Sequence, residues 1–315
     1  MSRLLLCGML CLVAVSDQSR LSAEEFSPLK AKRILFLGDS ITHAGGYISI
    51  IEARLIANGV ESRPELINLG LPSETCSGLS EPDHPFPRPD VHERLDRALA
   101  AAKADLVVAC YGMNDGIYYP FSEERFAAYQ AGMNKLIAKV KATGAQLILM
   151  TPPPFDPVPL KKKDGALRPL GADKYAWFSV YEDYDDVITK YGQWVLTLKP
   201  QVEMVLDLHA PLTKQVNETR LTNPDYTLVP DGVHPNAEGH RILARTILDT
   251  WGIDQSKPVS DSLQQLVNQR QTLLHDAWLS HVGHKRPGTK AGLPLDKAKS
   301  KAAAFDEEIG RLSRQ

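Results

Sequence analysis

Five short, strongly apolar runs alternate with segments of helical periodicity along this 315-residue chain. The runs are Arg33–Leu37, Glu65–Leu69, Asp105–Cys110, Gln146–Met150 and Glu203–Asp207. The helical segments cover residues 46–58, 90–103, 122–142, 182–198 and 236–250. Apolar runs of this length, without polar alternation, are typical of parallel strands buried on both faces. The pattern predicts an α/β fold, a three-layer α/β/α sandwich around a parallel five-stranded sheet.

Two segments depart from this alternation. Residues 152–177 form a long connection without a clear period, and such a connection in a compact domain is usually a lid or a substrate wall. Residues 254–315 are charged and contain helical stretches at about 258–281 and 294–313. We therefore expect a main domain at residues 30–252 and a C-terminal helical extension at residues 254–315.

The first residues have the layout of a secretory signal peptide. A short basic start, Met1–Arg3, precedes an apolar run from Leu4 to Val15, and the small residue Ser16 ends it. This predicts a signal peptide at residues 1–16 and a secreted or periplasmic protein; a buried N-terminal helix is the alternative. The run is shorter than the roughly 20 residues that a membrane span needs, so we expect no stable membrane insertion.

Overall charge and cysteine content exclude some classes of protein. The formal net charge is −2 and the sequence pI is about 6.5, so nothing indicates a nucleic-acid partner. Outside the leader only Cys76 and Cys110 remain. They allow one disulfide or two separate buried thiols, but not a disulfide scaffold. The sequence leaves the oligomeric state open.

Polar motifs follow the predicted strands, where parallel sheets bind their ligands. Gly38-Asp39-Ser40 comes directly after the first strand. A serine at a strand-to-helix turn presents its hydroxyl at the open end of the sheet, near free backbone N–H groups. Taken alone, the tripeptide is also an ordinary helix cap.

A second motif, Asp231-Gly232-Val233-His234-Pro235, precedes the last helix of the main domain. A histidine can take a serine's proton near neutral pH, and a carboxylate three residues away can fix its tautomer. The structural alternative is a turn stabilised by Asp231, with Pro235 starting the helix.

Two further motifs could supply hydrogen-bond donors. Gly112-Met113-Asn114-Asp115 follows the third strand, and its asparagine amide could donate to an oxyanion. Asn68-Leu69-Gly70 ends the second strand, where Gly70 could offer an unobstructed backbone N–H. Each of these motifs is also a common turn.

Taken together and in this chain order, the four motifs resemble the SGNH (GDSL-type) hydrolase superfamily over roughly residues 32–250. The resemblance implies a flavodoxin-like sandwich with strand order 2-1-3-4-5, and ester hydrolysis that needs no cofactor. It implies Ser40 as the nucleophile and His234 as the base, oriented by Asp231. The implied oxyanion donors are the Ser40 and Gly70 N–H groups and the Asn114 amide. His43 is expected to be a helix-start or pocket-rim residue.

Metal catalysis is the competing chemistry, but the histidines show no His-x-x-x-His spacing and the cysteines no Cys-x-x-Cys spacing, so we expect no metal site. The basic run Lys161–Lys163 is interpreted as a solvated loop, with an acidic sugar chain as the alternative ligand.

Aromatic residues near the motifs, at Tyr118–Tyr119 and at 175–178, suit stacking against sugar rings. They favour removal of small acyl groups, such as acetyl, from carbohydrate. The superfamily also contains lipases, lysophospholipases and thioesterases. The non-enzyme alternative is a carbohydrate-binding protein on an inactivated scaffold; retention of Ser40, Asn114 and His234 argues against it.

Overall fold

The structure, a computed structural model, describes residues 26–60 and 62–314. The predicted signal peptide at residues 1–16 lies outside the described residues. The strands are β1 Arg33–Gly38, β2 Glu65–Asn68, β3 Leu106–Cys110, β4 Gln146–Met150, β5 Leu167–Arg168, β6 Val180–Tyr181 and β7 Met204–Leu206. The helices are α1 Ser40–Ala44, α2 Gly46–Ala57, α3 Val91–Ala102, α4 Glu123–Ala142, α5 Tyr184–Leu196, α6 His209–Arg220, α7 Ala237–Thr250, α8 Asp261–Val282 and α9 Leu295–Leu312.

The main sheet has the order β2-β1-β3-β4-β7 and all its neighbouring strands are parallel. Counting its five strands along the chain, this is the predicted order 2-1-3-4-5, and the predicted fold class is confirmed. Gly38 is in register with Cys110, and Cys110 with Met150. The carboxyl ends of three neighbouring strands therefore lie level at one edge of the sheet.

Alternate residues of each strand face two separate hydrophobic cores. On one side Leu35 and Leu37 pack with apolar residues of α3, α4 and α5. On the other side Ile34 and Phe36 pack with apolar residues of α2, α6 and α7. Burial of the sheet on both faces explains why its strands are continuously apolar in sequence.

The connection at residues 152–177 is more ordered than predicted. It contains a 3₁₀ turn at Val158–Lys162, and strand β5 within it pairs with β6 just beyond it. Two-residue strands are too short to leave a periodic pattern. Helix α6 is also absent from the sequence-based prediction, because only two of its residues, Leu212 and Val216, are buried.

The C-terminal segment forms the two long helices α8 and α9, close to the predicted boundaries. A third apolar cluster joins them to α2 through Leu263 and Val267 of α8 and Ile309 of α9. Cys76 and Cys110 are both free and buried, so the two-thiol alternative holds. No described helix is both long enough and apolar enough to cross a membrane.

Candidate active site

Ser40 is the first residue of α1, directly after β1. The preceding Asp39 caps the helix by accepting a hydrogen bond of 2.9 Å from the Ile41 N–H. Gly38 is required in the turn, because a Cβ there would lie 2.3 Å from the Thr42 Oγ1. The serine therefore stands at a helix N-terminus at the carboxyl edge of the sheet, as the motif predicts.

His234 is within hydrogen-bonding distance of both Ser40 and Asp231. The Ser40 Oγ and His234 Nε2 atoms are 2.7 Å apart, and the His234 Nδ1 and Asp231 Oδ2 atoms are also 2.7 Å apart. The other carboxylate oxygen accepts from the His234 and Val233 N–H groups at 2.7 and 3.0 Å. The turn that orders the loop is thus built on the same carboxylate that contacts the imidazole.

These contacts determine the protonation states. Partial burial disfavours the Asp231 carboxylate, but the hydrogen bonds from the His234 ring and backbone outweigh it and hold its pKa well below the usual range. The hydrogen bond to Asp231 raises the pKa of His234 above 6.5, against the effect of desolvation. With Nδ1–H donated to Asp231, the neutral ring has its Nε2 lone pair free to accept the Ser40 proton.

The Asn114 amide is fixed by partners from three other positions. Its Oδ1 accepts from Arg88 Nη1 at 3.1 Å and from the Tyr118 hydroxyl at 2.9 Å. Its Nδ2 donates one hydrogen to the Glu74 carbonyl at 3.1 Å. The second N–H of that amide is left for another acceptor.

Buried ion pairs support this side of the site. Arg88 forms a two-point contact with Glu81 at 2.6 and 2.7 Å, and their side chains are 2% and 0% exposed. Arg94 pairs with Glu74 at 2.6 Å and also donates to the Leu69 carbonyl. Sequence reasoning missed these four residues, since charged side chains in loops and on helix faces are usually solvated and no motif marks these.

Gly70 follows the end of β2 as predicted, but its N–H already has a hydrogen-bond partner. Its N–H donates to Asn68 Oδ1 at 2.8 Å and is not free for an oxyanion. A Cβ on Gly70 would lie 2.3 Å from the His43 backbone nitrogen, so glycine is needed for close packing against α1. Gly70 therefore has a packing role in this structure.

Ser73 provides a free backbone donor in the same loop. Its φ is +65°, and no described residue accepts a hydrogen bond from its N–H. Arg88 Nη1, which binds the Asn114 amide, also contacts the Ser73 carbonyl at 3.4 Å. The Leu71 N–H donates to the Gly38 carbonyl, which places this loop beside the Ser40 turn. Sequence gave no sign of Ser73, because serine does not mark a left-handed residue as glycine does.

Backbone strain is concentrated around Asn114. Ile117 and Tyr118 have φ of +47° and +63°, a region that a β-branched or bulky residue rarely adopts. Ser73, which Arg88 joins to Asn114, shares this feature. Strained residues of this kind cluster at functional sites, where neighbouring contacts hold them in place.

His43 faces away from the serine, toward the C-terminal extension, and its Nδ1 lies 2.8 Å from His275 Nε2. Among the described residues, no group of three or more histidine, cysteine or acidic side chains is arranged to hold a metal ion. Lys162 makes an exposed ion pair with Asp225.

Known proteins resemble this chain in sequence and in fold. An acetylxylan esterase from Geobacillus stearothermophilus is 24% identical over 244 residues, covering 71% of this chain and 95% of that esterase. A crystal structure of a catalytic mutant of an acetylxylan esterase from the same organism superposes with a TM-score of 0.51 at 24% identity, covering 71% of this chain and 95% of that one. A gut microbial diltiazem-metabolizing enzyme superposes with a TM-score of 0.55 at 19% identity, covering 70% of this chain and 47% of that one. These structural likenesses show a shared fold.

The sequence profile of the GDSL-like Lipase/Acylhydrolase family matches residues 36–242, a range that includes Ser40, Asn114 and His234. The chain belongs to the GDSL-like lipase/acylhydrolase family and is a carboxylic ester hydrolase.

Proposed function

We propose that this protein is a secreted serine esterase that removes acetyl groups from carbohydrate, with Ser40 as the nucleophile. The observation that carries the mechanism is the continuous contact from Ser40 through His234 to Asp231, with both distances at 2.7 Å. The order and spacing of these groups are those that activate a serine hydroxyl.

In the proposed reaction, His234 Nε2 takes the Ser40 proton as Oγ attacks the ester carbonyl. The imidazolium then gives this proton to the departing alcohol oxygen, which leaves an acyl-Ser40. Water attacks the acyl-enzyme with His234 again acting as the base, and the acid and the free serine are released. Asp231 stays ionised throughout and stabilises the imidazolium.

The proposed oxyanion donors are the Ser40 N–H, the second Asn114 Nδ2–H and the Ser73 N–H, which replaces Gly70. The Ser40 N–H belongs to the first turn of α1, where backbone donors have no partner within the helix. Because Arg88 contacts both Asn114 and Ser73, two of the three donors share one buried support.

Small acyl groups fit the open position of the reactive residues. The His234 and Asp231 side chains are 48% and 52% exposed. A long acyl chain gains most of its binding energy from burial of its methylenes, which so exposed a site does not favour. The relative named acetylxylan esterase supports acetyl as the acyl group and a polysaccharide as the alcohol.

An exposed aromatic pair supports a carbohydrate substrate. Trp177 and Phe178 are 51% and 52% exposed, at the tip of a turn closed by two hydrogen bonds of 2.9 Å between Ala176 and Ser179. Turn tips usually carry small or polar residues, so exposed aromatic rings there indicate a binding role. The adjoining Tyr175 ring packs 5.2 Å from Tyr119, on the loop that follows Asn114.

Secretion belongs to the same proposal. It rests on the basic start, the apolar run and the small residue at Ser16. Mass spectrometry of the exported protein would test it, with Asp17 expected as the new N-terminus.

The test is hydrolysis of p-nitrophenyl acetate, butyrate and octanoate by the chain starting at Asp17 and by its Ser40→Ala variant. We expect rates that fall steeply with acyl length and a loss of at least about 10⁴-fold in kcat in the variant. Release of acetate from acetylated xylan, measured in parallel, tests the alcohol. A preference for octanoate would favour the lipase or thioesterase alternative. Equal activity of the variant would remove Ser40 as the nucleophile, and no activity in either protein would support the binding-protein alternative.

A further inference from the structure

Helix α8 lies along the outer edge of strand β2. The odd-numbered residues of β2, and Leu69 just after it, form backbone hydrogen bonds with β1. The Glu65 N–H donates to the Lys32 carbonyl at 2.8 Å, and the Leu69 N–H donates to the Phe36 carbonyl at 2.9 Å. Backbone groups of the even-numbered residues therefore point outward. Such an edge must be paired or covered in a stable protein.

The extension supplies side-chain donors for three of these even-numbered carbonyls, those of Leu66, Asn68 and Pro72, while the Gly70 carbonyl between them lies 3.3 Å from His43 Nδ1. Gln271 Nε2 contacts the Leu66 carbonyl at 3.4 Å, and His275 Nδ1 donates to the Asn68 carbonyl at 2.9 Å. The two donors are one helical turn apart, about 5–6 Å, which matches the rise of about 6.6 Å over two strand residues. Arg286, after α8, donates from Nε to the Pro72 carbonyl at 2.9 Å.

His275 also contacts the helix that carries the proposed nucleophile. Since its Nδ1 donates to a carbonyl, its Nε2 accepts, and His43 Nδ1 is the donor of the 2.8 Å bond between the rings. The same His43 N–H also lies 3.3 Å from the Gly70 carbonyl, so the shorter contact is the one to His275. His43 lies three residues after Ser40 in α1. The Asn68 side chain closes the connection by donating from Nδ2 to the Thr42 carbonyl at 2.8 Å.

Both rings are neutral near pH 7. Burial lowers the pKa of His275 to about 4, with the nearby Arg94 and His43 also lowering it. Burial lowers the pKa of His43 as well; the hydrogen bond to the Gly70 carbonyl and the charge of Asp276 oppose this effect, and Arg286 adds to it. The contact requires a neutral His275, because its Nε2 must keep a lone pair to accept from His43.

We propose that His275 is a positioning residue for ester hydrolysis. By binding the Asn68 carbonyl and the His43 ring at once, it sets α1 and the 68–73 loop at the separation at which the Ser40 and Ser73 N–H groups bind one oxyanion. The family profile ends at residue 242, so this function comes from a segment outside it. The inference rests on the proposed roles of Ser40 and Ser73. It does not depend on whether the alcohol part of the ester is a carbohydrate.

The test compares full-chain variants on p-nitrophenyl acetate. His275→Leu keeps the volume and removes both hydrogen bonds; we expect kcat to fall at least tenfold while KM stays within twofold. His275→Asn keeps a donor for the Asn68 carbonyl but does not reach His43, and its kcat should lie in between. The matched control is Leu263→Ala, a cavity in the same helix within the cluster that joins α2, α8 and α9. It should lower the melting temperature and leave kcat unchanged.

Arg286→Met is a second probe of the same edge, on a partly exposed loop after α8; we expect a several-fold lower kcat from the freed Pro72 carbonyl. Unchanged kcat in the folded His275 variants, or a loss no larger than that of Leu263→Ala, would overturn the positioning role. If His275→Leu does not fold, unchanged kcat in His275→Asn would overturn it. Full activity of Ser40→Ala would overturn both proposals. Activity on p-nitrophenyl acetate without release of acetate from acetylated xylan would overturn only the carbohydrate substrate.

Discussion

The two sides of the active site are built in opposite ways. On the side of the proposed base, Asp231 and His234 are about half exposed, and their contact is made within a four-residue turn. On the side of the proposed oxyanion donors, Asn114 and Arg88 are almost fully buried. Their contact joins residues that are 26 positions apart.

This difference follows from what each side must do. A base has to reach solvent and exchange protons, and a local turn is enough to hold its ring. An oxyanion donor is effective only if it is already oriented when charge develops, which needs rigid and desolvated support. Substitutions on the exposed side should therefore lower activity with little effect on the free energy of unfolding. Substitutions on the buried side should lower both activity and stability.

Removal of the Asp231 carboxylate should separate activity from stability most strongly. In Asp231→Asn, kcat on p-nitrophenyl acetate is expected to fall about 10³–10⁴-fold, because His234 loses its tautomer and orientation. The free energy of unfolding should change by less than about 1 kcal/mol, as for other exposed pairs. Urea unfolding and steady-state kinetics on the same samples check both numbers.

The pH profile sharpens this prediction. His234 must be neutral to act as a base, and its pKa is raised above 6.5 by Asp231. In the wild type, kcat/KM should therefore rise with pH through a limb above 6.5, and in Asp231→Asn the limb should move to lower pH. If the limb of the kcat/KM profile lies at the same pH in both proteins, it reports the titration of a group other than His234.

Arg88→Met should affect both stability and activity. The substitution leaves the buried Glu81 carboxylate without a partner, so we expect a loss of about 3–5 kcal/mol in the free energy of unfolding. The Asn114 amide also loses one of its two donors, and kcat should fall by roughly tenfold, or about 1.4 kcal/mol. Urea unfolding and kinetics on p-nitrophenyl acetate measure the two effects.

The double variant Arg88→Met/Glu81→Met separates these effects, because an apolar pair can replace a buried ion pair without loss of stability. Stability should return in it, and kcat should stay low. Recovery of kcat together with stability would show that Arg88 does not act through Asn114.

The same contrast explains how far the sequence could be interpreted. Strand positions followed from continuous apolar runs, and the Asp231–His234 contact followed from a spacing of three residues. Both signals are local. The Arg88–Glu81 and Arg94–Glu74 pairs depend on loops meeting in space, and in sequence these residues look like ordinary surface charges.

Gly70 and Ser73 show the same limit at the level of single residues. A glycine at the end of a strand suggests an open N–H, but here it is needed for close packing against His43. The free N–H belongs to Ser73, whose positive φ cannot be predicted from the residue type, because serine has no preference for this region. The contacts of His275 with Asn68 and His43 span more than 200 positions and were equally out of reach.

Asp39 directly precedes Ser40, and its replacement should change the free energy of unfolding by an amount that depends on pH. It is buried beside Ser40, and burial raises its pKa from 3.8 to about 7. The folded protein thus keeps a proton that the unfolded chain releases between about pH 4 and 7, so this group's contribution to stability falls as pH rises through that window. Asparagine keeps the helix cap without ionising.

From pH 5 to pH 8, the unfolding free energy of Asp39→Asn relative to wild type should rise by about 2–3 kcal/mol, measured by urea unfolding. Asp90→Asn, at the partly exposed cap of α3, is the matched control, since it relieves no buried carboxylate. If the difference in unfolding free energy between Asp39→Asn and wild type is the same at both pH values, Asp39 is ionised in the folded protein across this range. Desolvation beside the nucleophile would then be weaker than on the Asn114 side.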